Sequence, residues 1–189
     1  LYVHMITPVE QSIFQNAQNC RRLATPAQLF RCIDLAASSH ADILFNQCHS
    51  QIVSNGYIHN PYLATKIISA YASIGAANEA KHVFESLPYK SLCLYNSLIT
   101  GFARNGSHRN AVYWFNRLCQ SSMYPDGFSL SAVSKASGES GDAITGESIH
   151  AKCVKLGLSH GVVVANSIMS MYSKCGHITK CLILFDEMP

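Results

Sequence analysis

Four glycines set the frame of this chain. Gly75, Gly106, Gly141 and Gly176 are separated by 31, 35 and 35 residues, and the same offsets link Ile67, Leu98, Val133 and Ile168. Applied again they connect Phe84, Phe115, His150 and Phe185, and a step back of 35 from Ile67 and Phe84 lands on Cys32 and His49. Self-similarity at a period of this size is the signature of stacked units, not of one closed globule. In this register the chain divides into residues 26–60, 61–91, 92–126, 127–161 and an incomplete 162–189, with residues 1–25 ahead of the array as an N-terminal extension.

Each unit reads as a pair of helices. In the second, Leu63, Ile67, Ile68 and Tyr71 share one helical face, Gly75 interrupts, and Ala77, Ala80, Val83, Phe84 and Leu87 form a second face at 3.6-residue spacing. Asn105-Gly106 and Cys175-Gly176 supply a residue tolerant of positive φ just past the first helix, and Ser107 is placed to cap the next one. Ala80 and Ala111 are small where paired helices cross. A lone helix pair cannot bury two such faces, so the units must stack side by side into an all-α superhelix.

Composition excludes several classes. Of 189 residues 48% are hydrophobic and 13% charged, too apolar for a disordered tail. A formal net charge of +3 is far from that of a DNA-coating protein, so any nucleic-acid affinity must come from placement of charge. The cysteines at 20, 32, 48, 93, 119, 153, 175 and 181 include no C-x-x-C pair, which indicates reduced thiols and no disulfide framework. Cys175, His177 and Cys181 fit no standard four-ligand spacing, so no metal is expected. The stretch 156–173 lacks Asp, Glu, Lys and Arg but holds two glycines, a histidine and an asparagine, and is no membrane span. The sequence starts without Met, and residues 1–25 have neither a signal peptide's layout nor a usable transit peptide.

Three segments carry a family resemblance. Tyr95-Asn96-Ser97-Leu98-Ile99-Thr100-Gly101-Phe102, Met171-Tyr172-Ser173-Lys174-Cys175-Gly176 and Leu184-Phe185-Asp186-Glu187-Met188-Pro189 resemble pentatricopeptide repeats of the plant type. The alternation of lengths is similar to the subclass in which long, short and standard units follow one another, here long (26–60), short (61–91), standard (92–126), long (127–161) and short (162 onward). The tetratricopeptide family fits less well, because its Trp-x-x-Leu-Gly-x-x-Tyr run is absent and Trp114 lies in a second helix. His40 in the first long unit, and Ser137 and Gly138 in the second, depart from the pattern, so these two units are expected to be the softest. The array stops at Pro189, short of a full unit, and looks like a fragment of a longer protein.

The resemblance implies an all-α, right-handed superhelical solenoid of stacked helix-turn-helix repeats that binds single-stranded RNA. In that family the fifth residue of a unit and its last residue together contact a base edge. Carried over, the standard unit offers Asn96 with Asp126, a pair that favours uracil. The short unit offers Thr65 with Ser91, leaning to a purine, and the final unit offers Asn166, leaning to a pyrimidine. The long units present Phe30 with Asn60 and Ser131 with Gly161, which have little hydrogen-bonding logic and read as spacers. The second residue of each unit, Ala27, Tyr62, Cys93, Phe128 and Val163, is placed to wedge between bases, where aromatic stacking contributes about 1–3 kcal/mol. Arg104 and Lys174, at equivalent ends of first helices, are expected to meet phosphates.

The same resemblance points to an organelle RNA-processing factor, one that selects sites for C-to-U editing in a mitochondrion or, alternatively, a chloroplast. Its partners would be organelle RNA and other RNA-editing proteins, and the chain is expected to be monomeric, off the membrane and without a cofactor. The deaminase signature H-x-E followed by P-C-x-x-C is missing, and Gly138-Glu139-Ser140-Gly141 lacks the Lys and hydroxyl of a phosphate loop, so no enzymatic activity is expected from this segment. The rival class is a helical-repeat scaffold for a protein ligand, with Tyr57, Tyr62, Tyr124 and Phe128 near unit ends as contacts.

Overall fold

The computed structural model describes residues 25–38, 42–159 and 161–188. Residues 1–24, which make up almost all of the N-terminal extension, and His40 lie outside the described residues. Those described form ten α-helices and no strand: α1 (Pro26–Ser38), α2 (Asp42–Ser54), α3 (Pro61–Ser73), α4 (Ala77–Ser86), α5 (Leu92–Arg104), α6 (His108–Gln120), α7 (Gly127–Ser140), α8 (Ala143–Lys155), α9 (Val162–Lys174) and α10 (Ile178–Asp186). A single 3-10 turn, Tyr57–His59, links α2 to α3.

The helices alternate between two roles. The first helices α1, α3, α5, α7 and α9 pack each on the next and make one continuous row. The second helices pack on their own first helix, and α4, α6 and α8 also reach the first helix that follows. Every helix is thereby buried by sequence neighbours, which is the architecture of an all-α helical-repeat solenoid. The column Ile67, Leu98, Val133 and Ile168 runs through the middle of the row, each residue fully buried. In the second helices Phe84 and Phe115 are buried under the following first helix, whereas Phe185 is 64% exposed. Trp114 anchors the centre of the array, edge-on to Phe84 with ring centroids 4.9 Å apart and flanked by Tyr95 and Tyr113.

The repeat glycines act as the spacing implies. Gly75, Gly106, Gly141 and Gly176 take φ of +83°, +75°, +68° and +79° just past a first helix. The residue after each donates its N–H to a carbonyl in the preceding turn: Ala76 to Tyr71, Ser107 to Phe102, Asp142 to Ser137 and His177 to Tyr172. With the glycine N–H groups donating to Ala72, Ala103, Gly138 and Ser173 in turn, this double closure satisfies carbonyls that a helix end leaves unpaired and turns the chain back into the second helix. Ser107 does occupy the N-cap of α6, but its hydroxyl caps nothing and instead accepts a bond of 3.4 Å from the Asn105 amide.

Two first-helix contacts are set by glycine. A Cβ on Gly101 of α5 would stand 2.4 Å from the Cβ of Ala72 on α3, and one on Gly138 of α7 would stand 2.9 Å from the Cα of Met171 on α9. In the unit 127–161, Ser137 is fully buried and its hydroxyl donates to the Asp142 carbonyl at 2.7 Å. The small residues there are packing solutions: they let α9 approach the α7 backbone.

The two units with histidine in the phenylalanine column share one further joint. His49 of α2 meets the Tyr71 hydroxyl of α3 through Nδ1 at 2.9 Å, and His150 of α8 meets the Tyr172 hydroxyl of α9 at 3.0 Å. The rings are edge-on in both, with centroids 5.5 and 5.6 Å apart and the same interplanar angle of 76°. Burial pushes both imidazoles below their ordinary value of 6.5. Around His150, Glu187 opposes that effect and Lys180 adds to it, with Glu147 on the same wall. The unfolded chain therefore takes up protons at higher pH than the folded one, so these histidines stabilise the fold fully above about pH 6.5 and progressively less as pH falls below it. Melting midpoints should drop between pH 7.5 and 5.5, and a His49→Gln, His150→Gln double variant should show a shallower drop. Equal slopes in the two proteins would rule the histidines out as the cause.

Candidate nucleic-acid interface

The N-termini of the first helices build the candidate site. Asn60 caps α3, its side-chain oxygen accepting from Tyr62 N at 3.0 Å and Leu63 N at 3.3 Å. Ser91 caps α5 through a bond of 3.4 Å from Leu94 N. Asp126 caps α7 in a capping box: its Oδ1 accepts from Ser129 N at 3.0 Å while the Ser129 hydroxyl accepts from Asp126 N at 3.0 Å. Gly161 begins α9 with no side-chain cap. The residue that ends one unit is thus the cap that starts the next, a role the sequence reading did not assign although Asn-Pro, Ser-Leu and Asp-Gly-Phe-Ser at helix starts are a legible capping pattern.

With the cap fixed, the second residue of each first helix points away from the core. Tyr62 is 77% exposed, Phe128 79% and Val163 70%, and Ala27 and Cys93 are exposed as well. The exposed apolar faces of Tyr62, Phe128 and Val163, at one register of three units, are ready to stack on flat ligand groups. Tyr124, 78% exposed, stands just ahead of α7.

The fifth residues are less uniform. Asn96 reaches from α5 to the α7 cap, and its Nδ2 donates to both Asp126 oxygens, at 3.1 Å to Oδ1 and 3.0 Å to Oδ2. The amide must face this way because a carboxylate offers only acceptors. The Asn96 Oδ1 is then left buried and without a partner. Thr65 and Ser91 are not joined by a hydrogen bond: the Thr65 hydroxyl donates to the Pro61 carbonyl of its own helix at 2.6 Å. Asn166 is exposed on α9. Phe30 lies under the Lys66 ammonium, 4.5 Å from the ring centroid, while Lys66 pairs with Asp34. The Ser131 hydroxyl is buried and has no partner.

An open cleft of about 590 Å³ crosses this surface from the last turns of α5 over α7 to the first turns of α9. Asp126, Phe128, Ser131 and Val163 line it together with Arg104 and Lys135. Lys174 does not: its ammonium is 2.5 Å from Glu139 Oε1, and that pairing holds the Glu139 carboxylate below its ordinary range. Among the described residues no group of three or more His, Cys, Asp or Glu is arranged to hold a metal ion, and no helix is long and apolar enough to cross a membrane. Cys175 and Cys181 pack partly buried against the core.

A family model described as PPR repeat matches residues 93–123 and 163–189. Among curated relatives from Arabidopsis thaliana, pentatricopeptide repeat-containing protein At4g25270, chloroplastic, is 32% identical over 84% of this chain and 30% of its own length. Pentatricopeptide repeat-containing protein At4g21065 is 29% identical over 81% of this chain and 26% of its own. Pentatricopeptide repeat-containing protein At3g53360, mitochondrial, is 28% identical over 75% of this chain and 18% of its own. The chain spans less than a third of the length of each of these relatives.

Proposed function

This chain belongs to the pentatricopeptide repeat family, and from that premise we propose that it binds single-stranded RNA along the row of first helices and reads uracil at the Asn96–Asp126 pair. The observation that carries the reading is the state of Asn96. Its amide nitrogen is committed to Asp126, so the group left over is an acceptor, Oδ1, buried and unmet. A buried acceptor without a donor costs about 1–3 kcal/mol, and a ligand that brings a donor recovers it. The central ring nitrogen of uracil carries that donor, whereas the corresponding nitrogen of cytosine is an acceptor. Phe128 and Val163, exposed on the next two first helices, offer the flat apolar contacts that a base needs on its faces.

The remaining units extend the same scheme. Thr65 with Ser91 would select a purine, and Asn166 a pyrimidine, with Tyr62 and Cys93 beside the bases of the short and standard units. The long units 26–60 and 127–161 space the readers along the strand. We place the protein in an organelle, as relatives are described as mitochondrial or chloroplastic, with the mitochondrion first. Within it the chain would select sites for C-to-U editing as a monomeric recognition segment, the chemistry being supplied by other RNA-editing proteins.

Binding of a fluorescein-labelled oligouridylate, followed by anisotropy, tests the reading against the same strand annealed to oligoadenylate. The single strand is expected to bind at least tenfold more tightly, since duplex pairing occupies the edge that Asn96 must reach. Equal affinity for strand and duplex, or none for either, turns the row of first helices over to a protein ligand.

A further inference from the structure

Each first helix carries a single basic side chain: Arg31, Lys66, Arg104, Lys135 and Lys174. They are not equivalent. Lys66 is paired with Asp34 and lies over the Phe30 ring, and Lys174 is held by Glu139. Arg31 is exposed at the far end of the row. Arg104 and Lys135 have no ion pair among the described residues, and they line the same cleft as Phe128 and Val163.

Glu139 decides which lysine is free. It stands four residues after Lys135 on α7, a spacing at which the two could pair, although Lys preceding Glu is the weaker orientation on a helix. Its oxygen is instead taken by Lys174, one unit further along. The pairing withdraws Lys174 from ligands and leaves the Lys135 ammonium to the cleft. Ser131, on the same helix and in the same cleft, adds a buried hydroxyl with no partner.

Resting on the RNA reading above, we infer that Arg104 and Lys135 together form the phosphate-binding site of this segment, so that the long unit 127–161 grips the RNA backbone instead of only spacing its neighbours. The ligand class is the phosphodiester of a single strand whose bases lie against Phe128 and Val163. Arg104 presents a planar fork and Lys135 a compact charge, a combination suited to successive phosphates of one strand. The Asp126 carboxylate in the same cleft is held at the α7 cap by the Asn96 amide and the Ser129 N–H.

Salt dependence separates this assignment from the general one. Affinity of the whole chain for labelled oligouridylate is measured at rising KCl, and the slope of log affinity against log salt is about −0.7 per phosphate contact on a single strand. The unaltered chain should give about −1.4, from two contacts at about 0.7 each, and Lys135→Ala or Arg104→Ala should each give about −0.7. Lys174→Ala should leave the slope where it was, with helicity checked by circular dichroism for all variants. A slope unchanged in Lys135→Ala but halved in Lys174→Ala overturns the assignment while leaving RNA binding in place. No binding of the strand by the unaltered chain overturns both.

Discussion

Gly101→Val is expected to lower the melting midpoint of this chain by roughly 6–12 °C, the equivalent of about 3 kcal/mol in a chain of this length. Even the first carbon of a side chain at 101 meets the Ala72 Cβ at 2.4 Å and the Ala72 backbone carbon at 3.3 Å. Neither atom belongs to a flexible side chain, so relief requires α5 to move off α3. The joint between these two first helices carries the stacking of everything before residue 73 on everything after residue 92. In a linear array stability is approximately a sum of unit terms and nearest-neighbour terms. Weakening one neighbour term should therefore also broaden the transition, as the two halves melt more independently.

Alanine makes the test sharper. In a helix interior Gly→Ala gains about 1 kcal/mol of propensity, so a loss of stability in Gly101→Ala would have to come from the close approach alone. Gly138→Ala should also destabilise, since its obstacle is the Met171 Cα at 2.9 Å. Gly146→Ala should cost less despite a nominal 2.3 Å contact, because the atom in the way is the Met171 thioether sulfur, which can change rotamer. Gly127→Ala, whose nearest obstacle is a Val164 methyl at 3.5 Å, should be neutral. A Gly101→Ala protein that melts like the unaltered one would falsify the tight α3–α5 crossing.

These glycines mark the limit of what the sequence discloses. Gly75, Gly106, Gly141 and Gly176 are legible because a left-handed residue after an amphipathic run is a local event, repeated at a constant offset, and the helical-repeat fold follows from that column. Gly101 is not legible in the same way. It sits inside a strong helical pattern where nothing local calls for glycine, and its reason exists only once α3 lies against α5. Glu139 and Lys174 are an intermediate case. On one helix Glu139 invites a partner at Lys135, yet Glu139 and Lys174 are separated by 35 residues, one unit's offset. In an array that separation places two residues side by side on successive first helices, so the pair could have been found by applying the glycine offsets to charges. Asp126 is marked in the sequence both by its place at a unit's end and by the Asp-Gly-Phe-Ser pattern of a helix start, whereas its bond to Asn96 exists only once α5 lies against α7.

That double role of Asp126 decides the most informative substitution. Asp126→Ala removes the cap of α7 and the acceptor of the Asn96 amide together. A lost cap costs about 1 kcal/mol, and the Asn96 Nδ2 would lose both of its bonds to the carboxylate. A fall in RNA affinity in that variant would be ambiguous between recognition and local fraying. Asp126→Asn separates the two, because asparagine caps as well as aspartate while its side chain offers one oxygen and one NH2 in place of two acceptors. The Asn96 amide then faces a neutral partner that can also donate, and either amide is free to turn over. Melting should stay close to that of the unaltered chain. The preference for uracil over cytosine, expected at about 5-fold to 150-fold from the about 1–3 kcal/mol cost of leaving the Asn96 Oδ1 without a donor, should fall toward unity or reverse. The measurement compares strands that differ only at the base opposite residues 96 and 126, at one fixed KCl concentration, so that backbone contacts contribute equally to every strand. Loss of affinity for all four bases alike, with melting also depressed, would assign Asp126 to the fold alone and withdraw base reading from this pair.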